Sequence, residues 1–130
     1  DLVHDLALHA CDKHCLTEHV GKVNDVPPTI VHLRLTSGYF EKIPKSRGEC
    51  FRRLETLYLE CDFSVDIFKG LKQLRVLILS NRKINHIPNT IGNLKHLRYI
   101  DISQTSIETL PNSIFDLYLL QTLRVNCLNN

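Results

Sequence analysis

The sequence predicts an α/β solenoid, in which short parallel strands line one face and brief helical turns return the chain behind them. Three observations carry this. An apolar pattern recurs at a fixed interval of 23 residues. Leucine is in surplus, and fifteen leucines lie at or after Leu54, where the pattern is clearest. The chain has 130 residues, enough for one ordinary domain or two small pieces but not for two full-sized domains.

The repeat reads directly. Leu74-x-x-Leu77-x-Leu79 is followed by Ile84, Ile87-Pro88, Ile91 and Leu94. Adding 23 to each number gives Leu97-x-x-Ile100-x-Ile102, then Ile107, Leu110-Pro111, Ile114 and Leu117. A second addition gives Leu120-x-x-Leu123-x-Val125. Leu-x-x-Leu-x-Leu at a period of roughly 20–29 residues is the signature of a leucine-rich repeat.

Upstream the pattern is less regular. Leu54-x-x-Leu57-x-Leu59 precedes Leu74 by a slightly shorter step, with Phe68 and Leu71 in the places of Ile91 and Leu94. Ile30-x-x-Leu33-x-Leu35 precedes Leu54 by a slightly longer one, and its return segment carries Ile43-Pro44 and Phe51. Residues 27–130 therefore hold about three complete repeats with an opening and a closing strand.

Each element has a local cause. Leu77 and Leu79 alternate with Val76, Ile78 and Ser80, so they share one face of a strand. Pro88 and Pro111 block strand extension on the return path. Residues 90–96 and 113–119 are long enough for one or two helical turns on the convex side. No repeat buries its own apolar face, so stacking supplies the core. The closing positions Leu120, Leu123 and Val125 are expected to be exposed, and the isolated chain to be marginally stable.

Residues 1–26 do not repeat. Leu2, Val3, Leu6, Ala7 and Ala10 make a helical stripe, with Asp1 at the helix start. Cys15–Val20 has strand-like content, Gly21 marks a turn, and Pro27-Pro28 is a linker. This stretch is expected to be the tail of an upstream domain. The start at Asp1 rather than Met leads to the expectation of a fragment or a processed product.

Bulk charge excludes several classes. Sixteen basic and 14 acidic residues leave a formal net charge of +2. Residues 1–53 and 54–130 each carry 8 basic and 7 acidic side chains, so neither half presents a nucleic-acid patch. No apolar run approaches a membrane span. Five cysteines (Cys11, Cys15, Cys50, Cys61, Cys127) lack disulfide-framework spacing and read as reduced thiols.

Spacing also weighs the candidate sites. His4, His9, His14 and His19 recur at every fifth position, which places them on different faces of a helix or strand, so no metal site is expected. Asp1 and Asp5 are spaced for a helix start, with no nucleophile or oxyanion device beside them. Cys61 and Cys127 follow their strands and read as small buried hydrophobes. Lys42, Lys45, Arg47, Arg52 and Arg53 surround the first return loop and suit either solvent or an acidic neighbouring domain. No catalytic constellation emerges, so no enzyme is expected.

The strand positions pointing away from the core form columns about 4.8 Å apart. One reads Glu55, Arg75, Arg98, Gln121; another Tyr58, Ile78, Asp101, Arg124; a third Thr56, Val76, Tyr99, Thr122. An exposed interaction surface is expected here, from Glu55, Tyr58, Arg75, Ile78, Arg98, Tyr99, Asp101 and Arg124. Arg75 and Arg98 would favour an acidic patch, Glu55 would answer Arg75, and Asp101 would answer Arg98 and Arg124. A solvated charged face is the alternative.

The opening Asp1-Leu-Val-His-Asp-Leu-Ala7 resembles the sequence at the Met-His-Asp motif of plant nucleotide-binding leucine-rich-repeat disease-resistance proteins. Asp1 would be the third residue of that motif. Val31-His-Leu-Arg-Leu35, Leu74-Arg-Val-Leu-Ile-Leu79, Ile87-Pro-Asn-Thr-Ile-Gly-Asn-Leu94 and Leu110-Pro-Asn-Ser-Ile114 resemble that family's early repeats. The resemblance implies that residues 1–26 are the C-terminal remnant of a winged-helix domain. It also implies a cytoplasmic immune receptor whose missing upstream part switches between ADP and ATP. Asp1 would be the one cofactor-linked position of this chain. The repeats would bind the nucleotide-binding module within the same molecule and recognise a pathogen effector or a guarded host protein. No G-x-x-x-x-G-K-[ST] loop is present, so nucleotide binding by this chain alone is not expected. The alternative is a cytosolic leucine-rich-repeat scaffold or adaptor without a nucleotide switch.

Overall fold

The computed structural model describes residues 15–18, 30–35, 52–60 and 65–126. Among them six strands form one sheet in sequence order: β1 (Cys15–Glu18), β2 (His32–Leu35), β3 (Thr56–Leu59), β4 (Val76–Leu79), β5 (Tyr99–Asp101) and β6 (Thr122–Arg124). Every neighbouring pair is parallel. Three 3₁₀ helices of the described residues lie behind the sheet: η1 (Val65–Gly70), η2 (Asn89–Asn93) and η3 (Asn112–Asp116).

The repeat arithmetic reappears as strand register. Leu33, Leu57, Leu77, Ile100 and Leu123 pair one after another across β2 to β6. The first four are fully buried and Leu123 packs half-buried against the same cluster. Burying each such side chain contributes about 1.5–3 kcal/mol, and no single strand supplies that environment alone.

The return path has its own rule. The Ile91 N–H donates to Pro88 O, Leu94 N–H to Ile91 O, and Leu97 N–H to Leu94 O, each at 3.1 Å. The same series recurs one repeat later, from Ile114 to Pro111, Leu117 to Ile114 and Leu120 to Leu117, at 3.0–3.2 Å. Bonds from each residue to the third before it align every third side chain. Ile91, Leu94 and Leu97 thus all point into the core. Pro88 and Pro111 start these runs from extended backbone, with φ of −67° at both. The helical turns expected on the convex side are therefore tight 3₁₀ turns.

Polar side chains end the strands and tie repeats together. Asn81 Nδ2 donates to Glu60 O at 2.9 Å, while Asn81 Oδ1 accepts the Lys83 N–H at 2.9 Å. Thr105 is fully buried; its hydroxyl donates to Ile102 O at 2.6 Å and accepts the Ile107 N–H at 3.3 Å. Ser106 Oγ reaches Arg82 O at 2.6 Å in the preceding repeat.

Two expectations need amendment. The strand expected within Cys15–Val20 forms, but it pairs in parallel with β2, Leu16 opposite Leu33. The sheet thus runs across the boundary drawn between residues 26 and 27. The helix expected from Leu2 to Ala10 lies outside the described residues. At the other end only Val125, at 44%, is exposed as expected. Leu120 and Leu123 are half-buried, because the stack beneath them covers one side of each.

Candidate functional site

The outward columns have the register read from the sequence. His32, Thr56, Val76, Tyr99 and Thr122 form one, and Arg34, Tyr58, Ile78, Asp101 and Arg124 another. Backbone bonds place Glu55, Arg75, Arg98 and Gln121 side by side one position earlier. Arg75 N–H donates to Glu55 O at 2.8 Å, Arg98 N–H to Arg75 O at 2.9 Å and Gln121 N–H to Arg98 O at 2.8 Å.

Exposure divides these residues in a way the alternation along the strands does not foretell. Tyr58, Ile78, Tyr99 and Asp101 are expected on an open surface, yet all four are buried, with Ile78 only 2% exposed. Tyr58, Ile78 and Tyr99 form a second apolar cluster on the outward face, with Val76 packed against it. The physical reason is the strand spacing: large side chains about 4.8 Å apart cover one another. Arg75, Arg98 and Arg124 remain exposed, and Glu55 is half-buried.

Two charged groupings brace the face. Arg34 Nη2 lies 2.7 Å from Glu60 Oε1, and its guanidinium sits 4.9 Å from the centre of the Tyr58 ring. Burial pushes the Tyr58 hydroxyl above its ordinary pKa; a hydrogen bond with Ser80 opposes the shift, and the Glu60 carboxylate adds to it. At the far edge Asp101 Oδ1 accepts from Ser103 N–H at 2.9 Å and from Ser103 Oγ at 2.6 Å. Asp101 Oδ2 lies 3.5 Å from Arg124 Nη1. A hydrogen bond with Tyr99, then the Asp101 charge, raise the Arg124 pKa above the ordinary arginine value.

Of the three pairings expected from the columns, only Asp101 with Arg124 forms. Among the described residues no ion pair joins Glu55 to Arg75 or Asp101 to Arg98. Arg98 precedes Asp101 by three positions, so about 10 Å of extended strand separates their Cα atoms, and the Asp101 carboxylate is already engaged from its own end. The Arg34–Glu60 pair is not legible from the columns, because Glu60 follows its strand and stands outside them. The clue is the repeat step that puts Arg34 beside Tyr58.

Arg52 and Arg53 of the expected basic group are exposed. Asp1, Asp5, the four N-terminal histidines, Cys11, Cys50, Cys61, Cys127, Lys42, Lys45 and Arg47 lie outside the described residues. Among the described residues no cluster of His, Cys, Asp and Glu is arranged to hold a metal ion, and no helix is long and apolar enough to cross a membrane. An open depression of about 420 Å³ lies beside Ile107, Leu110 and Val125 at the last strand.

A parallel sheet of stacked repeats, with a braced outward face and exposed arginines, defines a solenoid of the protein-interaction class. A family model described as a leucine-rich repeat region matches residues 33–129, and the chain belongs to that family. No curated protein matches the chain. Leucine-rich repeat regions are typically interaction modules without catalysis, which is the role this membership supports.

Proposed function

We propose that the chain is a fragment of a cytoplasmic plant immune receptor, running from the end of its nucleotide-switch module into its first leucine-rich repeats. The carrying observation is the Asp1–Ala7 segment, which resembles the end of the nucleotide-switch module and stands upstream of repeats that resemble that family's first ones. In this reading the repeats hold the nucleotide-binding module in its ADP-bound state. An effector or a guarded host protein binding the repeats shifts that balance, which requires different affinities for the two states. ADP or ATP belongs to the upstream part, with Asp1 at its boundary.

The test is the full-length gene product. Purified from plant tissue, it should retain ADP and carry a phosphate-binding loop upstream of Asp1. A product without bound nucleotide and without that loop overturns the reading. A second reading, a cytosolic scaffold or adaptor, draws support from β1, which extends the repeat sheet into residues 1–26 as an opening strand of a self-standing solenoid does. The same nucleotide assay separates the two.

A further inference from the structure

The sequence balances charge, with 8 basic and 7 acidic side chains from position 54 to position 130. The structure does not present that balance on the sheet face. Glu60 is engaged by Arg34 at 2.7 Å. Asp101 is 6% exposed and occupied by Ser103 and Arg124. Glu60 and Asp101 are thus engaged and Glu55, beside Arg75, is half-buried, while Arg75, Arg98 and Arg124 stay exposed. Among the described residues neither Arg75 nor Arg98 has an ion-pair partner. Gln121 and Thr122, also exposed, add hydrogen-bonding groups without charge.

We infer that Arg75, Arg98 and Arg124 form a docking surface for an acidic segment of a partner protein in the extended polyproline II conformation, whose period of three residues sets carboxylates at i and i+3 on one face about 9 Å apart. Arg75 and Arg98 stand one residue before the adjacent strands β4 and β5 and are joined by the Arg98 N–H bond to Arg75 O, so their Cα atoms stand about 4.8 Å apart and both reach one carboxylate. Arg124 pairs in register with Asp101, three positions beyond Arg98. That places it about 10 Å further along the strand direction, the span of about three extended residues. Asp101 and Tyr99 hold Arg124 in position while its side chain remains 46% exposed. The buried Tyr58, Ile78 and Tyr99 stiffen the floor without offering contact area, so recognition falls to the arginines.

A protein partner fits better than a nucleic acid. The face carries three arginines on a chain of net charge +2, and its two tyrosines are buried, which removes the stacking platform that single strands use. The inference rests on the interaction role of the repeats, not on the nucleotide switch: ADP retention by the full-length product is unaffected by its failure.

The experiment is fluorescence anisotropy of the full chain with a short labelled peptide carrying two aspartates at positions i and i+3. Binding should weaken several-fold from about 50 mM to about 300 mM salt. The double variant Arg75→Ala, Arg98→Ala should weaken it by about ten-fold. Arg82→Ala, whose side chain reaches Thr105 O and Gln104, should leave it unchanged. If the double variant loses its cooperative melting transition, Arg98→Glu with a peptide bearing lysine at the first acidic position provides the second test, and binding should return. No binding by the native chain, equal loss with Arg82→Ala, or tighter binding of a single-stranded oligonucleotide of equal charge overturns the inference.

Discussion

Gly92 in η2 lies against Ser113 in η3 so closely that a methyl group at its Cα would stand 2.7 Å from Ser113 Cβ and 2.9 Å from Ser113 O. The contact joins equivalent turns of successive repeats and sets how near they stack. The backbone oxygen has no flexible end to move aside. Gly92→Ala is expected to destabilise the chain by about 1–3 kcal/mol, the ordinary cost of overpacking. Ser113→Ala keeps the Cβ and removes a buried hydroxyl that has no hydrogen-bond partner among the described residues, so it should be neutral within about 0.5 kcal/mol. Urea midpoints of the two variants measure the contrast. A neutral Gly92→Ala would show that the repeats stack more loosely than this.

The repeat gives matched positions with different burial. Leu97 is fully enclosed, whereas Leu120, its counterpart one repeat later, is half-buried at the edge of the stack. Leu97→Ala should cost about 2–5 kcal/mol as a cavity, and Leu120→Ala clearly less. Equal losses in denaturant titration would mean that the last strand is covered as fully as the inner ones.

Tyr58 predicts a pH dependence with a definite sign. Burial raises its folded pKa above the ordinary 10.0, so the folded state holds the proton more tightly than the unfolded chain. The contribution is fully present below about pH 10 and is lost as pH rises through the folded value. Between about pH 9 and about pH 11 the native chain should lose more stability than Tyr58→Phe. Parallel urea titrations of both proteins test this, and identical slopes would remove Tyr58 from the account.

Thr105 and Asp101 carry buried polar bonds at the end of β5. Thr105→Val leaves the Ile107 N–H without its acceptor, and Asp101→Ala leaves the Ser103 N–H without its own. Each should cost about 1–3 kcal/mol. Thermal melts suffice, and Asp101→Ala should also loosen Arg124 and weaken acidic-peptide binding beyond what its stability loss explains. Unchanged binding would separate the Asp101 brace from the docking face.

The sequence is most legible where period and burial coincide. Leu33, Leu57, Leu77, Ile100 and Leu123 can be aligned by counting, and they pair in that order across the sheet. Pro88 and Pro111 mark where the return turns begin. The columns are equally legible, since alternation along a strand and a fixed step between strands leave one register open.

Counting does not reveal what stands exposed on those columns. Ile78 and Arg98 both face away from the main core by sequence, yet one is buried and the other exposed. The difference depends on the sizes of neighbours one strand away. Charge pairing behaves likewise: Asp101 meets Arg124 and not Arg98, and Glu60 meets Arg34 from outside the columns. The sequence by itself determined the repeat, the strand register and the membership in a leucine-rich repeat family, because these follow from periodicity along the chain. The tertiary structure decided how closely Gly92 and Ser113 stack, which tyrosines are enclosed and which arginines are left to meet a partner. Those depend on distances between residues a full repeat apart in the chain, which only the stacking of one repeat on the next brings into contact.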